Sequence, residues 1–429
     1  RFMELNRVAL LAEDHSRVVV GTEGSPEPAL RRLLQAYHGR RITFEPISKE
    51  ELLILTQRAA AGRPAVTMGG RSESRIGIAI SGTARNAPAV NLVNSVLNEA
   101  VRHRASDIHI ELHRESVSVR YRVDGRLRLA QDGSGAPPVS LNGFASVSAR
   151  LKVLAGLNAA ERRRPQDGRF TVRLPADIFD VRLSSMPTAG GESIVLRLFP
   201  RTRDAYTLEQ LGMPDIVRRS VTEVIERAAG FLIICGPTGS GKTTTLHAAL
   251  RHINTSSRKI ITIEDPVEYH VDGVEQIQTN DAAGLTFESL LRRVLRQDPD
   301  VIMVGEIRDS ATAELSVRAA LTGHLVFATI HTRSATDVQH RLVDLGVERS
   351  LLQTLGPTVL AQRLVRVICS RCGGPPGCAS CQQSGFRGRT GLFELVRPDL
   401  ADLSLVADGE HKIAAGITTR EEVAWAIAV

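Results

Sequence analysis

The stretch FLIICGPTGSGKTTT, residues 231–245, decides the fold. Its first five residues are apolar or nearly so and predict a buried strand, which a glycine-rich turn joins to a predicted helix. The turn, from Gly236 to Thr243, fits the phosphate-binding pattern G-x-x-x-x-G-K-[ST]. Glycines let successive backbone N–H groups point at phosphate oxygens, and the helix N-terminus favours negative charge. The stretch therefore predicts that a nucleoside triphosphate is bound, and it leaves open what the energy is used for.

Two side chains of the loop add chemistry that its backbone lacks. The spacing predicts that Lys242 reaches the β- and γ-phosphates and that the Thr243 hydroxyl is a ligand of Mg²⁺. The residues predicted to hold the nucleotide are Gly236, Pro237, Thr238, Gly239, Ser240, Gly241, Lys242, Thr243 and Thr244. Such a loop binds, whereas hydrolysis also needs carboxylates at the metal and at the attacking water.

Two apolar runs further along the chain end in acidic residues. IITIEDPVEYH (260–270) reaches Glu264, and VIMVGEIRD (301–309) reaches Glu306. Ligands of α/β proteins bind at the carboxyl ends of the strands, so both acids are expected beside the phosphate loop. One carboxylate would organise Mg²⁺ through water and the other would polarise the attacking water, and the residues alone leave the assignment open.

A third apolar run, LTGHLVFATIHT (321–332), carries His324 and His331 at its two ends. A single histidine beside a strand is more often structural than functional. Both lie next to polar strand ends, and we expect them to sense the γ-phosphate.

Alternation of strands and helices from about residue 208 to residue 365 predicts a parallel sheet flanked by helices, so the fold class is α/β.

Earlier segments differ in pattern. VALLAED and RVVVGTE predict a hairpin, RITFEPI predicts a third strand, and PALRRLLQAYHG and KEELLILTQRAA predict helices. The glycine- and serine-rich AGRPAVTMGGRSESR predicts a flexible linker. The predicted domains are a small α+β unit at 1–60, a linker at 61–86, a middle α+β unit at 87–205, and a nucleotide-binding unit at 206–429 with a cysteine knot at 366–390 and a helical tail at 396–429.

Length and composition indicate a globular protein with about two to four domains, because 429 residues exceed one ordinary core. No apolar run approaches the roughly 18 residues that cross a bilayer. The first residues lack a signal-peptide layout, since Glu13 and Asp14 follow a short apolar run, and Arg1 in place of Met leads us to expect residues upstream.

A net charge of +7 fits anionic lipid, nucleic acid or acidic partners. Aromatic content of 4% disfavours a base-stacking surface, so no nucleic-acid partner is expected.

Four cysteines lie within thirteen residues as two C-x-x-C knuckles, a spacing typical of tetrahedral Zn²⁺ sites. The predicted ligands are Cys369, Cys372, Cys378 and Cys381. The alternatives are free thiols or an opportunistic disulfide. Cys235, at the end of the strand before the phosphate loop, is predicted to be a core residue.

Four motifs occur in a fixed order along the chain: GPTGSGKTTT, ITIEDPVEY, LRQDPDVIMVGEIRD and TGHLVFATIHT. Together they resemble the Walker A motif, Asp box, atypical Walker B motif and His box of the secretion ATPase superfamily. The resemblance is strongest to the type II secretion ATPases (general secretion pathway protein E) and to the type IV pilus assembly ATPases. It covers the chain from about residue 87 to residue 429, where SDIHIE, RVDGRL, RRRPQDGR, MPTAGGESIVLRL, AQRLVRVIC and GRTGLFEL also follow the family order.

The resemblance implies a fold and roles for several residues. The expected fold is a RecA-like P-loop ATPase domain preceded by a PAS-like α+β domain, and the expected nucleotide is ATP. Glu264 is then the catalytic glutamate and Glu306 the atypical Walker B residue. The zinc knuckles also match the family, although relatives usually carry a longer insert than the Gly-Gly-Pro-Pro-Gly found here.

The resemblance also implies that Arg182 and Arg197 reach the phosphates from the middle domain. A rigid, bidentate cation meets the charge on a transferring phosphoryl group well, and another domain or subunit often delivers it. Arg292 and Arg296, before the Walker B strand, are further candidates for sensing the nucleotide state. In such an enzyme ATP binding closes two domains and hydrolysis releases them.

The expected function is therefore an ATPase motor of bacterial type II secretion that drives pseudopilus assembly. The family resemblance implies a homo-hexamer, peripheral location on the cytoplasmic side of the inner membrane, and docking of residues 1–60 on the cytoplasmic domain of a bitopic inner-membrane protein. A polytopic platform protein is the second expected partner. The alternatives are a type IV pilus assembly ATPase, a DNA translocase or conjugation ATPase, and an adaptor that binds ATP without turning it over.

Overall fold

The structure is a computed structural model that describes residues 8–13, 17–22, 41–48, 76–77, 88–130, 139–175, 177–201, 206–268, 270–399 and 403–428. The chain divides into two compact units, Arg1–Arg203 and Asp204–Val429. Among the described helices, none combines the length and the apolar composition needed to cross a bilayer.

The first unit begins with a three-stranded sheet of β1 (Val8–Glu13), β2 (Arg17–Thr22) and β3 (Arg41–Pro46). The strands β1 and β2 form the predicted hairpin, and β3 pairs with β2 in parallel. The two helices predicted at 28–39 and 49–60 lie outside the described residues, as does the linker sequence at 61–75. Within the predicted linker, β4 (Ile76–Gly77) instead pairs with a strand of the next sheet.

The other described strands of this unit form a seven-stranded sheet in the order β4-β8-β9-β10-β5-β6-β7. Its remaining elements are α1 (Pro88–Arg102), β5 (Ala105–Leu112), β6 (Val117–Val123), β7 (Arg126–Leu129), α2 (Leu141–Leu154), β8 (Gln166–Arg173), β9 (Ile178–Thr188) and β10 (Gly191–Pro200). Helices α1 and α2 pack their apolar sides on one face of the sheet, where Leu97, Val147 and Ile194 are buried. The other face carries the alternate residues of each strand, and these include Asp180, Arg182 and Arg197.

The second unit is built on a seven-stranded sheet in the order β13-β12-β14-β15-β11-β16-β17. All its neighbouring strands are parallel except the last pair, β16 and β17. Its elements up to β15 are α3 (Asp215–Glu226), β11 (Gly230–Cys235), α4 (Lys242–Ile253), β12 (Ile260–Glu264), β13 (Glu275–Gln278), α5 (Phe287–Val294), β14 (Val301–Val304), α6 (Ser310–Leu321) and β15 (Leu325–Ile330). Then follow α7 (Thr336–Asp344), α8 (Arg349–Leu355), β16 (Thr358–Ile368), β17 (Phe386–Val396), α9 (Leu405–Ala414) and α10 (Arg420–Ala428).

Helices cover both faces of this sheet, which explains why its strands are apolar without alternation. Helices α3 and α4 pack on one face, and α5 to α8 pack on the other. Every residue of β15 is buried, as is every residue of β12 and β14. The prediction of an α/β fold is confirmed.

Candidate active site

Four segments meet at the carboxyl edge of the second sheet because their strands are parallel. The phosphate loop follows β11, Glu264 ends β12, Gly305 and Glu306 follow β14, and His331 follows β15. This is the edge at which α/β proteins bind ligands. Four side chains therefore lie at or just beyond the carboxyl ends of four different strands: Lys242, Glu264, Glu306 and His331.

The phosphate loop has the backbone that its glycines were expected to allow. Gly236, Gly239 and Gly241 have φ angles of 144°, 80° and 91°, a region that side chains rarely adopt. The Lys242 ammonium donates to the backbone oxygens of Gly236 (2.8 Å) and Pro237 (3.0 Å). Burial lowers the pKa of Lys242 to about 8, against the opposing effect of the Glu306 carboxylate. Ser240 Oγ is buried and has no hydrogen-bond partner among the described residues. A cradle of left-handed glycines with an orphaned hydroxyl fits a bound phosphate chain.

Strand β16 forms the wall behind the phosphate loop. A side chain at Gly236 would place its Cβ 2.5 Å from the Gln362 carbonyl oxygen, and one at Gly241 would lie 2.7 Å from Gln362 Nε2. Gln362 Oε1 accepts a hydrogen bond from Thr245 Oγ1 on α4 at 2.7 Å. The buried Arg363 donates to the backbone oxygens of Gln362 (3.1 Å) and Arg333 (2.6 Å). Sequence reasoning missed both β16 residues, although polar side chains inside the apolar run TVLAQRLVRVI were a visible signal.

Glu264 is almost fully buried, with 4% of its surface exposed. Its Oε1 accepts hydrogen bonds from Thr262 Oγ1 (2.7 Å) and Gln276 Nε2 (2.9 Å), and its Oε2 lies 3.2 Å from His247 Nε2. Burial alone would raise the pKa of the Glu264 carboxyl, but its hydrogen bonds and the nearby His247 lower it. Glu264 is therefore held as an ionised carboxylate.

Glu306 is the centre of a second charged cluster. Its Oε1 lies 3.1 Å from His331 Nε2, and its Oε2 accepts from Arg308 Nε at 2.8 Å. Arg308 also donates to Asp265 at 3.3 Å, which links the ends of β12 and β14. Burial and the charge of Lys242 lower the pKa of His331, and Glu306 opposes this.

The other predicted residues of this unit lie elsewhere. His324 precedes β15 and is at the opposite edge of the sheet, where its carbonyl accepts from the Gly230 N–H at 3.2 Å. The six residues of β15 separate it from His331 by roughly 20 Å. The structure thus brings His331 to the phosphate loop and leaves His324 away from it, because the two ends of a parallel strand lie at different edges. Arg292 forms an exposed pair with Glu288, at 2.9 Å, on α5.

In the first unit, Arg182 and Arg197 are direct cross-strand partners on β9 and β10. Arg169 on β8 is the partner of Arg182 on the other side, so three arginines stand in one row across adjacent strands. Asp107 follows in the row and accepts from Arg197 Nε at 2.9 Å. Like charges directly opposite each other are destabilising, and Arg182 also lies over the Phe199 ring, 4.7 Å from its centroid. Sequence reasoning did not single out Arg169, although this residue ends the motif RRRPQDGR, because its place opposite Arg182 depends on strand register.

The four knuckle cysteines gather after β16. Their sulfur atoms lie within 4.8 Å of one another, with Cys381 Sγ 3.8 Å from the sulfurs of both Cys372 and Cys378. A tetrahedron of Zn–S bonds of about 2.3 Å sets sulfurs about 3.8 Å apart. Burial would raise the pKa of the Cys381 thiol, but hydrogen bonds from the Cys378 and Gly385 N–H groups lower it to about 6. This donor set fits a thiolate metal such as Zn²⁺.

A mostly parallel α/β sheet with a phosphate loop and two acids at its carboxyl edge defines a P-loop nucleoside triphosphatase. The model of the type II/IV secretion system protein family matches residues 83–427. The chain belongs to the type II secretion system ATPase E family, as the sequence motifs indicated.

Named relatives agree with this assignment. Type II secretion system protein E of Pseudomonas aeruginosa is 43% identical over 383 residues, covering 79% of this chain and 75% of the relative. Type II secretion system ATPase E of Vibrio cholerae is 40% identical over 383 residues, with the same two coverages. The predicted activity, an ATPase of type II secretion, is confirmed at the level of the family.

Solved structures share the fold. The pilus retraction motor PilT with bound ADP is 29% identical, with a TM-score of 0.52, and the match covers 78% of this chain and 96% of PilT. The ATPase DotB of Legionella pneumophila has a TM-score of 0.62 at 24% identity, covering 78% of this chain and 94% of DotB. The likeness to DotB concerns the fold alone.

Proposed function

We propose that this chain is the motor that couples ATP hydrolysis to pseudopilus assembly in type II protein secretion. The observation that carries the proposal is one sheet edge that holds a phosphate loop, the buried ionised Glu264, and the Glu306–His331 pair. A loop alone would support an adaptor that only binds ATP. Two carboxylates from neighbouring strands add the acid–base groups that turnover requires.

The residues have distinct roles in this proposal. Lys242 exchanges its two backbone oxygen partners for phosphate oxygens, and Thr243 supplies a hydroxyl ligand for Mg²⁺. Bound Mg²⁺ would neutralise charge on the phosphates. Glu264 orients and deprotonates the attacking water, and Glu306 orders the polar surroundings of the metal through His331 and Arg308.

Arg182 and Arg197 supply further positive charge to the transferred phosphoryl group in the proposed mechanism. Support comes from the family resemblance and from the register that sets Arg169, Arg182 and Arg197 side by side on adjacent strands. ATP binding then closes the RecA-like and PAS-like domains of a homo-hexamer, and hydrolysis releases them.

The remaining proposals rest on the family resemblance. The four cysteines bind one structural Zn²⁺, which the sulfur spacing supports. The motor works peripherally at the cytoplasmic face of the inner membrane. Its N-terminal unit docks on the cytoplasmic domain of a bitopic membrane protein, and its ring acts on a polytopic platform protein.

Phosphate release by the full chain tests the proposed activity. We expect that Lys242→Ala, Glu264→Gln and Glu306→Gln each lower kcat by about a hundredfold or more, the scale of lost phosphate and acid–base groups. Glu288→Gln is the matched control, because Glu288 contacts Arg292 on the surface of α5. Equal rates for all five proteins, wild type included, would mean that the chain is an adaptor and not a motor.

A further inference from the structure

His247 connects the helix of the phosphate loop to Glu264. It lies on α4 four residues after Thr243, so the two side chains share one face of the helix. Its side chain is fully buried, and its Nε2 lies 3.2 Å from Glu264 Oε2. Strands β14 and β15 separate β12 from β11 in the sheet, so the contact crosses from the loop helix to a distant strand end.

The other contacts of the Glu264 carboxylate come from its own side of the sheet. Thr262 is on β12 itself, and Gln276 is on the neighbouring β13, and both donate to Oε1. Among the hydrogen bonds of the described residues, Oε2 has His247 as its contact. Removing this contact lets the whole carboxylate pivot about Oε1, which the two sheet contacts still hold.

We propose that His247 is a positioning residue that sets where the Glu264 carboxylate stands relative to the helix bearing Lys242 and Thr243. The proposal rests on the proposed catalytic role of Glu264. Hydrolysis depends on the distance between the base and the phosphates, and a misplacement of about 1 Å costs about a hundredfold in rate. His247 fixes this distance through its buried contact with Glu264, because it stands on the helix that the phosphate chain itself would engage.

Two amide variants distinguish hydrogen bonding from packing. The amide nitrogen of Gln stands where the imidazole Nε2 stands, so a Gln side chain can still reach Glu264. The amide nitrogen of Asn stands where Nδ1 stands, so an Asn side chain is too short to reach Glu264. In the full-length protein with ATP, we expect His247→Asn and His247→Phe to lower kcat about tenfold to a hundredfold with KM unchanged. His247→Gln should recover most of the rate. Equal kcat values for the Asn and Gln variants would overturn the proposal.

The exposed His252 provides a control on the same helix. Its Nε2 lies 2.8 Å from Glu226, remote from the site, and His252→Gln should leave kcat and KM unchanged. Thermal unfolding of each variant checks that the chain folds. If His247→Phe does not fold, the comparison of the two amide variants carries the test.

A double-mutant cycle tests whether His247 acts through Glu264. In a Glu264→Ala background, His247→Asn should cause no further loss of the residual rate. A second loss as large as the first would show a merely structural role and overturn the inference. If Glu264→Ala itself retains the wild-type kcat, the proposed catalytic role of Glu264 is wrong, and the inference about His247 is rejected with it. If Glu264→Ala is inactive but the His247 variants keep the wild-type kcat, the positioning role of His247 is rejected and the proposed role of Glu264 stands.

Discussion

Gly236→Ala tests the geometry of the phosphate loop more directly than removal of a charge. Gly236 has a φ of 144°, and an added Cβ would meet the Gln362 carbonyl oxygen at 2.5 Å. The carbonyl belongs to β16, which pairs in parallel with β11 and in antiparallel with β17, so it cannot move aside. The loop must therefore change its backbone to accept alanine.

Two costs add at this position. A residue with a side chain in this backbone region costs about 1–3 kcal/mol. The overlap with Gln362 costs about 1–3 kcal/mol more, the range for overpacked cores. The loop can escape both by leaving the conformation that faces the phosphates. At least about 2 kcal/mol should therefore appear as lost affinity, which is about thirtyfold in Kd.

Binding of a fluorescent ATP analogue measures this loss. The control is Gly323→Ala, which has a φ of 104° but nothing within 4 Å of its Cβ, at the opposite edge of the sheet. It should lower the thermal stability slightly and leave nucleotide affinity unchanged. Wild-type Kd for Gly236→Ala would refute the description of the loop as a conformation that only glycine permits.

Three further outcomes are expected from changes to other residues. Cys381→Ser should lose bound zinc, measured by metal analysis of the purified chain, whereas Cys235→Ser should keep it, since Cys235 lies outside the cluster. Affinity for ATP should be constant below about pH 8 and should fall above it. The pKa of Lys242 is about 8, so above this pH the free protein loses the Lys242 proton and must take it up again to bind ATP. A Lys242→Met variant should show no such fall. Lys412→Met should lower the free energy of unfolding by about 3–5 kcal/mol, because it leaves the buried Asp408 carboxylate without its cation; denaturant melts check this, and an unchanged midpoint would contradict it.

Much of the site could be predicted from the sequence because it depends on where strands end. The apolar runs before Glu264, Glu306 and His331 each stop at the polar residue, and parallel pairing then brings these ends to one edge. His324 marks the limit of this reasoning. A run of apolar residues has two ends, and the pattern itself does not say which end faces the ligand.

Other residues escaped prediction because their importance arises only through register and packing. Arg169 becomes notable when β8 is aligned with β9, which places it opposite Arg182. His247 occupies a position on α4 that predicts only a core residue, and its partner is seventeen residues away on a strand that is not adjacent to β11. Gln362 matters because two glycines, Gly236 and Gly241, approach it closely.

The hairpin of β16 and β17 also connects the wall behind the phosphate loop with the cysteine cluster. Gln362 stands behind the phosphate loop, and Cys369 lies seven positions further along, roughly 23 Å away. The ladder between these points pairs Gln362 with Phe393 and continues to Ile368 and Phe386. Residues added or deleted at the tip, between Cys372 and Cys378, therefore leave the alignment at Gln362 as it is. The tip is the place where evolution or an engineer can change the length of this protein without touching the pocket that holds ATP.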